Sequence, residues 1–350
     1  MTNTGSTRNA SSIVNRQPSI ANIVVVRLGA MGDILFTTPA LRGLKAKYPG
    51  CHLTYIAMKK WAFLFRESPS VDRFVGLSYR DPKALGRLTH ESFDFLVNFH
   101  ETEDGARICQ ALDVRERRGH QWLDGKLVSD ENSALLFHDK KGLMQLYEAK
   151  ISYPDLYCRI AGVTSNDPYR FDFHSSYWDL FRASLFLHAH GCDTTPGPIA
   201  LHTHSRGTPS KEWPIASVLA VTRAMPDRRF IVLGYRPDRD RTRVFESEPN
   251  IAASYHPITV QAGILRRCSL FVGIDSGPRQ IAAAVGTRAL CLFGPRPETS
   301  LAPRPEDRAL TVDTSCAPCF DKECSLGGVC LERLDPALIV KTIREMETTG

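Results

Sequence analysis

Four short stretches of the 350-residue chain hold residue types and spacings that could do chemistry. The first is RLGAMGDILFTTPA, Arg27–Ala40, just after the apolar run IVVV. A strand, two glycines and a helix suggest a phosphate loop. Gly29 and Gly32 permit a tight turn close to another molecule. Yet Arg27 stands where a dinucleotide fingerprint needs its first glycine, and Asp33 puts a carboxylate at the helix start. The dipole there favours an ionised carboxylate and would set it against a phosphate. The stretch is poor for phosphate and good for presenting an acid; capping its own helix is the plainer use of Asp33. The second stretch is HTHSRGTPSKEWP, His202–Pro214. Thr203, Ser205 and Thr208 offer hydroxyls to a phosphate and Lys211 offers charge; the alternative is a solvated loop around a buried tryptophan. The third is GIDSGPRQIAAAVG, in which Ser276 and Gly277 follow Asp275 and Pro278 opens a helix. Free amides and a helix dipole make an anion site there, unless the turn is only an ordinary cap. The fourth is Cys316-x2-Cys319-x4-Cys324-x5-Cys330. Four thiols so spaced suit one tetrahedral zinc or iron ion; reduced packing thiols are the other reading.

Two βα series would position these stretches. Strand patterns occur at Asn22–Arg27, His52–Met58, RFVGL and Phe93–Phe99, with the helical pattern PALRGLKAKYP after the first. Such alternation predicts a parallel sheet with helices on both faces. The pattern weakens from Glu101 to Asp139, across DVRERRGHQ and DENSALLFHDKK. A helix resumes in GLMQLYEAKISYPDLYCRIAG, interrupted at Pro154. VTSNDPYRFDFHSS has loop composition and marks the passage between halves. The second series runs from GPIALHTHS through the helix PIASVLAVTRAM, the strand RFIVLG, the helix TVQAGILRRC, the strand SLFVGI, the helix PRQIAAAVG and the strand RALCLFG. The expected organisation is a disordered tail over 1–20, a Rossmann-like domain over 21–180, and a second over 181–350 that carries the Cys-rich loop 316–330. Strand–loop–helix junctions of such sheets are where ligands bind.

Composition sets the bounds. The chain is 43% hydrophobic and 23% charged, ordinary for a globular protein. No run of about 18 apolar residues is present to cross a bilayer as a helix. The polar N-terminal stretch lacks the apolar core of a secretory signal, so a cytoplasmic location is expected, and ten cysteines there read as thiols or metal ligands rather than disulfides. The net charge of +6 suits anionic ligands or an anionic membrane surface. The basic residues are spread rather than striped, which argues against nucleic acid.

Taken together and in order, VVVRLGAMGDILFTTPALRGLKAKYP, KEWP, LFVGIDSGPRQIAAAVGTRALCLFGP and CAPCFDKECSLGGVC resemble the heptosyltransferases of glycosyltransferase family 9. The likeness covers most of the chain and is weakest from Glu101 to Tyr169. It implies a GT-B fold, two Rossmann-like domains facing a central cleft, and inverting transfer of heptose from ADP-heptose without a catalytic metal. The acceptor it implies is a lipopolysaccharide core, with peripheral contact at the inner membrane. A protein acceptor, another nucleotide sugar, or sugar-nucleotide binding without catalysis are the alternatives. By the resemblance, Asp33 matches the general base and Lys211 the lysine at the donor phosphates. Asp275, Ser276 and Gly277 match the donor-gripping element, and Asp240 falls near the acid that holds the ribose. Related sequences that glycosylate proteins carry iron at cysteines of this kind, so structural zinc or iron is the one cofactor implied. The chain departs from the family pattern at Phe36 and Gln280, where histidine is usual. Arg279, beside Gln280, could supply polarity at the diphosphate.

Overall fold

The computed structural model describes residues 20–78, 86, 88–136, 140–205, 211–294, 304–312, 314, 316, 319 and 330–348. The segment read as a disordered tail lies outside these residues apart from its last position. Two parallel sheets form the frame. The first comprises β1 (Asn22–Val26), β2 (His52–Met58), β3 (Arg73–Leu77), β4 (Ser92–Asn98) and β5 (Asp113–Gly119), paired in the order β3-β2-β1-β4-β5. A small hairpin, β6 (Gln121–Leu123) with β7 (Lys126–Val128), follows it. The second sheet comprises β8 (Ile199–His202), β9 (Phe230–Leu233), β10 (Ile251–Ser254), β11 (Leu270–Ile274), β12 (Ala289–Phe293) and β13 (Arg308–Thr311), in the order β10-β9-β8-β11-β12-β13. Within each sheet the third, second, first, fourth and fifth strands are neighbours, the doubly wound order.

The helices are α1 (Met31–Lys47), α2 (Glu103–Gln110), α3 (Lys140–Glu148), α4 (Tyr153–Ala161), α5 (Tyr177–Ala189), α6 (Ile215–Arg223), α7 (Arg239–Thr242), α8 (Ile258–Leu265), α9 (Gly277–Ala284) and α10 (Pro336–Thr348). Local chemistry explains the break that the sequence places at Pro154. The Ser152 hydroxyl accepts from the Asp155 amide at 3.3 Å, and Pro154 sits in the first turn of α4, where its missing N–H costs nothing. Gly162, at φ 66°, ends the same helix in the left-handed region. The central strands are β-branched and apolar because both of their faces are covered; Ile23, Val24, Val25 and Val26 are all fully buried.

The stretch from Glu101 to Asp139, which lacks a clear pattern in the sequence, holds α2, β5 and the hairpin. Strand β5 reads DVRERRG because it is the edge of its sheet, where side chains reach solvent. Strands β10 and β13 and helix α10 are likewise additions to the sequence reading. Helix α5 packs on α8, so the chain has passed from the first sheet to the second by Tyr177. One apolar cluster continues from Val25 and Ile34 beside the first sheet through Met31 to Ile281 and Phe271 beside the second.

Candidate active site

Four loops that follow parallel strands supply the site, as the doubly wound topology requires. Register decides which side chains meet. Val26 on β1 pairs with Asn98 on β4, and Phe99 donates its amide to the Val26 carbonyl at 2.9 Å. Arg27 therefore leaves β1 beside the chain that carries His100 and Glu101. Its guanidinium is buried, at 1% exposure. Nη2 donates to Asp33 Oδ2 at 2.9 Å, and Nη1 donates to Glu101 and, at 2.9 Å, to the Phe99 carbonyl. Tyr157 lies under the guanidinium at 5.9 Å. A buried guanidinium needs such acids, since an unpaired charge in the interior is costly.

Asp33 is the third residue of α1 rather than its N-cap. The cap is Ala30, whose amide donates to Asp33 Oδ2 at 3.4 Å. The side chain keeps 27% exposure. It is thus clamped on one side by Arg27 and open on the other. Gly29 leaves room for this pair: a Cβ there would stand 3.1 Å from both Arg27 Nη2 and Asp33 Oδ2. Trp61 donates from Nε1 to the Gly29 carbonyl at 2.9 Å and fixes the loop.

The opposite wall comes from the second sheet. Gly273 on β11 pairs with His202 on β8, which sets the loops after the two strands side by side. Lys211 Nζ donates to Asp275 Oδ2 at 2.8 Å, and Gln280 Nε2 donates to Asp275 Oδ1 at 3.5 Å. Ser276 is the N-cap of α9 in extended conformation, and Ser276 and Gly277 are half-buried at the start of that helix. The amide-bearing turn expected there is present.

The two walls touch at glycines. A Cβ on Gly32 would lie 3.4 Å from Gln280 Cδ, and one on Gly277 would lie 2.5 Å from Met31 Cε. The first turns of α1 and α9 abut, so Asp33 stands one residue from the contact that leads through Gln280 to Asp275 and Lys211.

Some expected donor groups lie elsewhere. Arg279 is fully buried beside the Cys291 thiol of β12, where it opposes the rise that burial gives that thiol's pKa, so its guanidinium is enclosed under α9 and does not line the cleft. Thr203 is buried at 1% exposure, and its hydroxyl meets His204 Nδ1 while its carbonyl accepts from the Trp213 amide at 3.0 Å. That hydroxyl is committed inside the loop rather than to a phosphate. Ser205 is half-buried; Asp240 stands exposed on the one-turn helix α7. Thr208 falls outside the described residues. Phe36 is 3% exposed and packs between Tyr153 and Phe171, at ring distances of 5.8 and 5.3 Å, so this departure from the family pattern is a core side chain. Of the cysteine group, Cys324 falls outside the described residues. No cluster of three or more His, Cys, Asp or Glu able to hold a metal occurs among the described ones.

Sequence reasoning missed Arg27 and Glu101. Both sit at the C-terminal ends of central strands, a position that marks ligand-side residues in such sheets. An arginine leaving an all-apolar strand also signals a buried cation in need of acids.

The glycosyltransferase family 9 (heptosyltransferase) model matches residues 169–330. Lipopolysaccharide heptosyltransferase 3 of Escherichia coli is 23% identical over 301 residues, which cover 75% of this chain and 80% of that protein. A solved glycosyl transferase family 9 structure from Veillonella parvula superposes with a TM-score of 0.78 at 18% identity, over 95% of this chain and 99% of that one. The E. coli heptosyltransferase WaaC with ADP gives a TM-score of 0.67 at 15% identity, over 93% and 99%. The fold is the GT-B arrangement, two doubly wound sheets with their ligand-side loops meeting across α1 and α9.

Proposed function

Since residues 169–330 match the glycosyltransferase family 9 (heptosyltransferase) model, we propose that the chain is a member of that family and transfers a heptose from ADP-heptose, with inversion, to a hydroxyl of a lipopolysaccharide core acceptor. The observation that carries this reading is the opposition of two walls: Asp33, clamped by Arg27, faces the Lys211–Asp275–Gln280 array across the Gly32–Gln280 contact. Inverting transfer needs one base to take the acceptor's proton as the new bond forms. Asp33 has the open side for it. Its other side is held by a guanidinium, which fixes the carboxylate in place.

The departing diphosphate gains charge as the sugar bond breaks. Lys211 and the amides at the start of α9 meet that charge, as preorganised donors at a developing anion do. Asp275 holds Lys211 in position, and Asp240 is the candidate for the donor's ribose. No catalytic metal enters this scheme. The sugar ring passes through an oxocarbenium-like state, by analogy with glycoside hydrolysis.

Incubation of the purified chain with ADP-heptose and a heptose-deficient lipid A–core acceptor tests the reading. ADP release with a core one heptose heavier is the expected result. ADP release only with a protein acceptor would move the assignment to protein glycosylation, the reading that the Cys316–Cys330 group and the departures at Phe36 and Gln280 keep open. ADP binding without turnover on any acceptor would leave a binding protein.

A further inference from the structure

Five of the nine large apolar side chains exposed among the described residues lie on one helix, α5. Tyr177 is 74% exposed, Trp178 68%, Leu185 58%, Phe181 50% and Leu180 38%. The other side of α5 buries Ala183, Phe186 and Leu187, and Gly263 of α8 approaches so closely that a Cβ there would lie 2.8 Å from the Ala183 Cβ. The helix thus packs through one apolar side and exposes five large apolar side chains to solvent as well. A surface helix in a globular protein normally turns a polar face to water, and a contiguous exposed patch marks an interaction site.

Charge says what the patch would meet. Arg182 is an exposed charge on this helix. The Asp179 carboxylate is turned inward, accepting from Ser176 Oγ at 2.6 Å and Thr259 Oγ1 at 3.0 Å. At the other end Asp193 pairs with His188 at 3.0 Å. Beside the patch, His256 stacks edge-on to Phe186 at 5.5 Å. Its pKa is lowered by burial first and then by the charges of Arg182, Arg236 and His190. The patch thus combines an exposed cation, Arg182, with Trp, Tyr, Phe and Leu.

Orientation adds a further point. The Asp179–Thr259 bond and the Ala183–Gly263 approach make α5 run parallel to α8. Helix α8 starts after the C-terminal end of β10, so Tyr177 and Trp178 lie at the end of the second sheet from which Lys211 and Asp275 extend.

We propose that this face of α5 docks the protein on an anionic lipid bilayer. Trp178, Tyr177, Phe181 and Leu185 enter the boundary between headgroups and acyl chains, and Arg182 meets lipid phosphates. Amphipathic aromatics with flanking cations are the side chains that bind such interfaces. A two-fold contact between copies through this helix would instead bring two Arg182 side chains into one apolar interface. Docking needs neither donor nor acceptor, so it stands or falls apart from the transfer reaction.

Sedimentation of the full chain with vesicles of phosphatidylethanolamine and phosphatidylglycerol is the test, with phosphatidylcholine vesicles as the uncharged control. The chain is expected to pellet with the anionic vesicles at least about tenfold more than with the neutral ones. A Trp178→Ser, Phe181→Ser, Leu185→Ser variant is expected to lose at least about tenfold in binding. Arg182→Glu, which leaves the apolar face intact, is expected to lose binding to anionic vesicles. All these positions are exposed, so melting temperatures should stay close to that of the unaltered chain. A chain that stays in the supernatant with both vesicle types overturns the proposal, as do variants that pellet as well as the parent. A parent that elutes as a dimer, dissociated by the triple substitution and indifferent to vesicles, assigns the face to a second copy and overturns it too.

Discussion

At the scale of the residue, the site is two acid–base pairs with different duties. In the first, Arg27 is buried and Asp33 is not, at 1% and 27% exposure. The cation is therefore scaffold and the carboxylate is the group that can meet a substrate. Asp33→Asn keeps an oxygen to accept from Arg27 but removes the base. It should leave the fold and ADP binding intact while lowering transfer about 10²–10⁴-fold, the usual worth of a general base. Near-normal kcat in single-turnover assays would remove Asp33 from that role. In the second pair, Lys211 and Asp275 are 19% and 12% exposed and 2.8 Å apart. Lys211→Ala should weaken ADP binding by about 1.5–3 kcal/mol, the range for a hydrogen bond to a charged group. Titration calorimetry reads this directly. Unchanged affinity would mean that Lys211 serves Asp275 and not the diphosphate.

At the scale of the element, the ends of strands carry the chemistry and small residues let them meet. Gly119 closes β5 at φ +88°, and a Cβ there would stand 2.0 Å from the Asn98 carbonyl oxygen. Asn98 in turn donates from Nδ2 to the His120 carbonyl at 2.8 Å and accepts from the His100 amide at 2.9 Å. The turn after β5 thus braces the loop that delivers Glu101 to Arg27. Gly119→Ala suffers both a left-handed backbone and a clash with backbone, which together should cost about 2 kcal/mol or more in urea unfolding. A loss below about 0.5 kcal/mol, as at an ordinary surface position, would contradict this account of the turn.

At the scale of the whole molecule, both sheets bury a neutral histidine near a ligand-side strand end. Burial is the main cause that lowers His120 to about 4 and His202 to about 3, from an ordinary value of 6.5. Above pH 6.5 both folded and unfolded chains carry these rings neutral, and the contribution to stability is fully present. As the pH falls below that value the unfolded chain takes up protons that the folded chain excludes. Stability is then lost at up to about 1.4 kcal/mol per pH unit for each ring, until the folded values are reached. Melting curves between about pH 7 and about pH 5 should therefore fall less steeply for a His120→Gln, His202→Gln chain than for the parent. Equal slopes would show that the two rings do not carry the acid limb. On the same scale, the sequence by itself determined the alternation of strands and helices and the loops that bear Asp33, Lys211 and Asp275. These are local signals, because periodicity and strand–turn–helix junctions are written in neighbouring residues. It did not reveal β5, whose charged edge hides the strand pattern. Only the tertiary structure decided that Arg27 meets Glu101, 74 positions away, that Gly32 meets Gln280, and that Arg279 and Phe36 turn into the core instead of the cleft. Those outcomes depend on the register of β1 against β4 and on how the first turns of α1 and α9 pack. Both are set by interactions between segments far apart in the chain, and no local pattern encodes them.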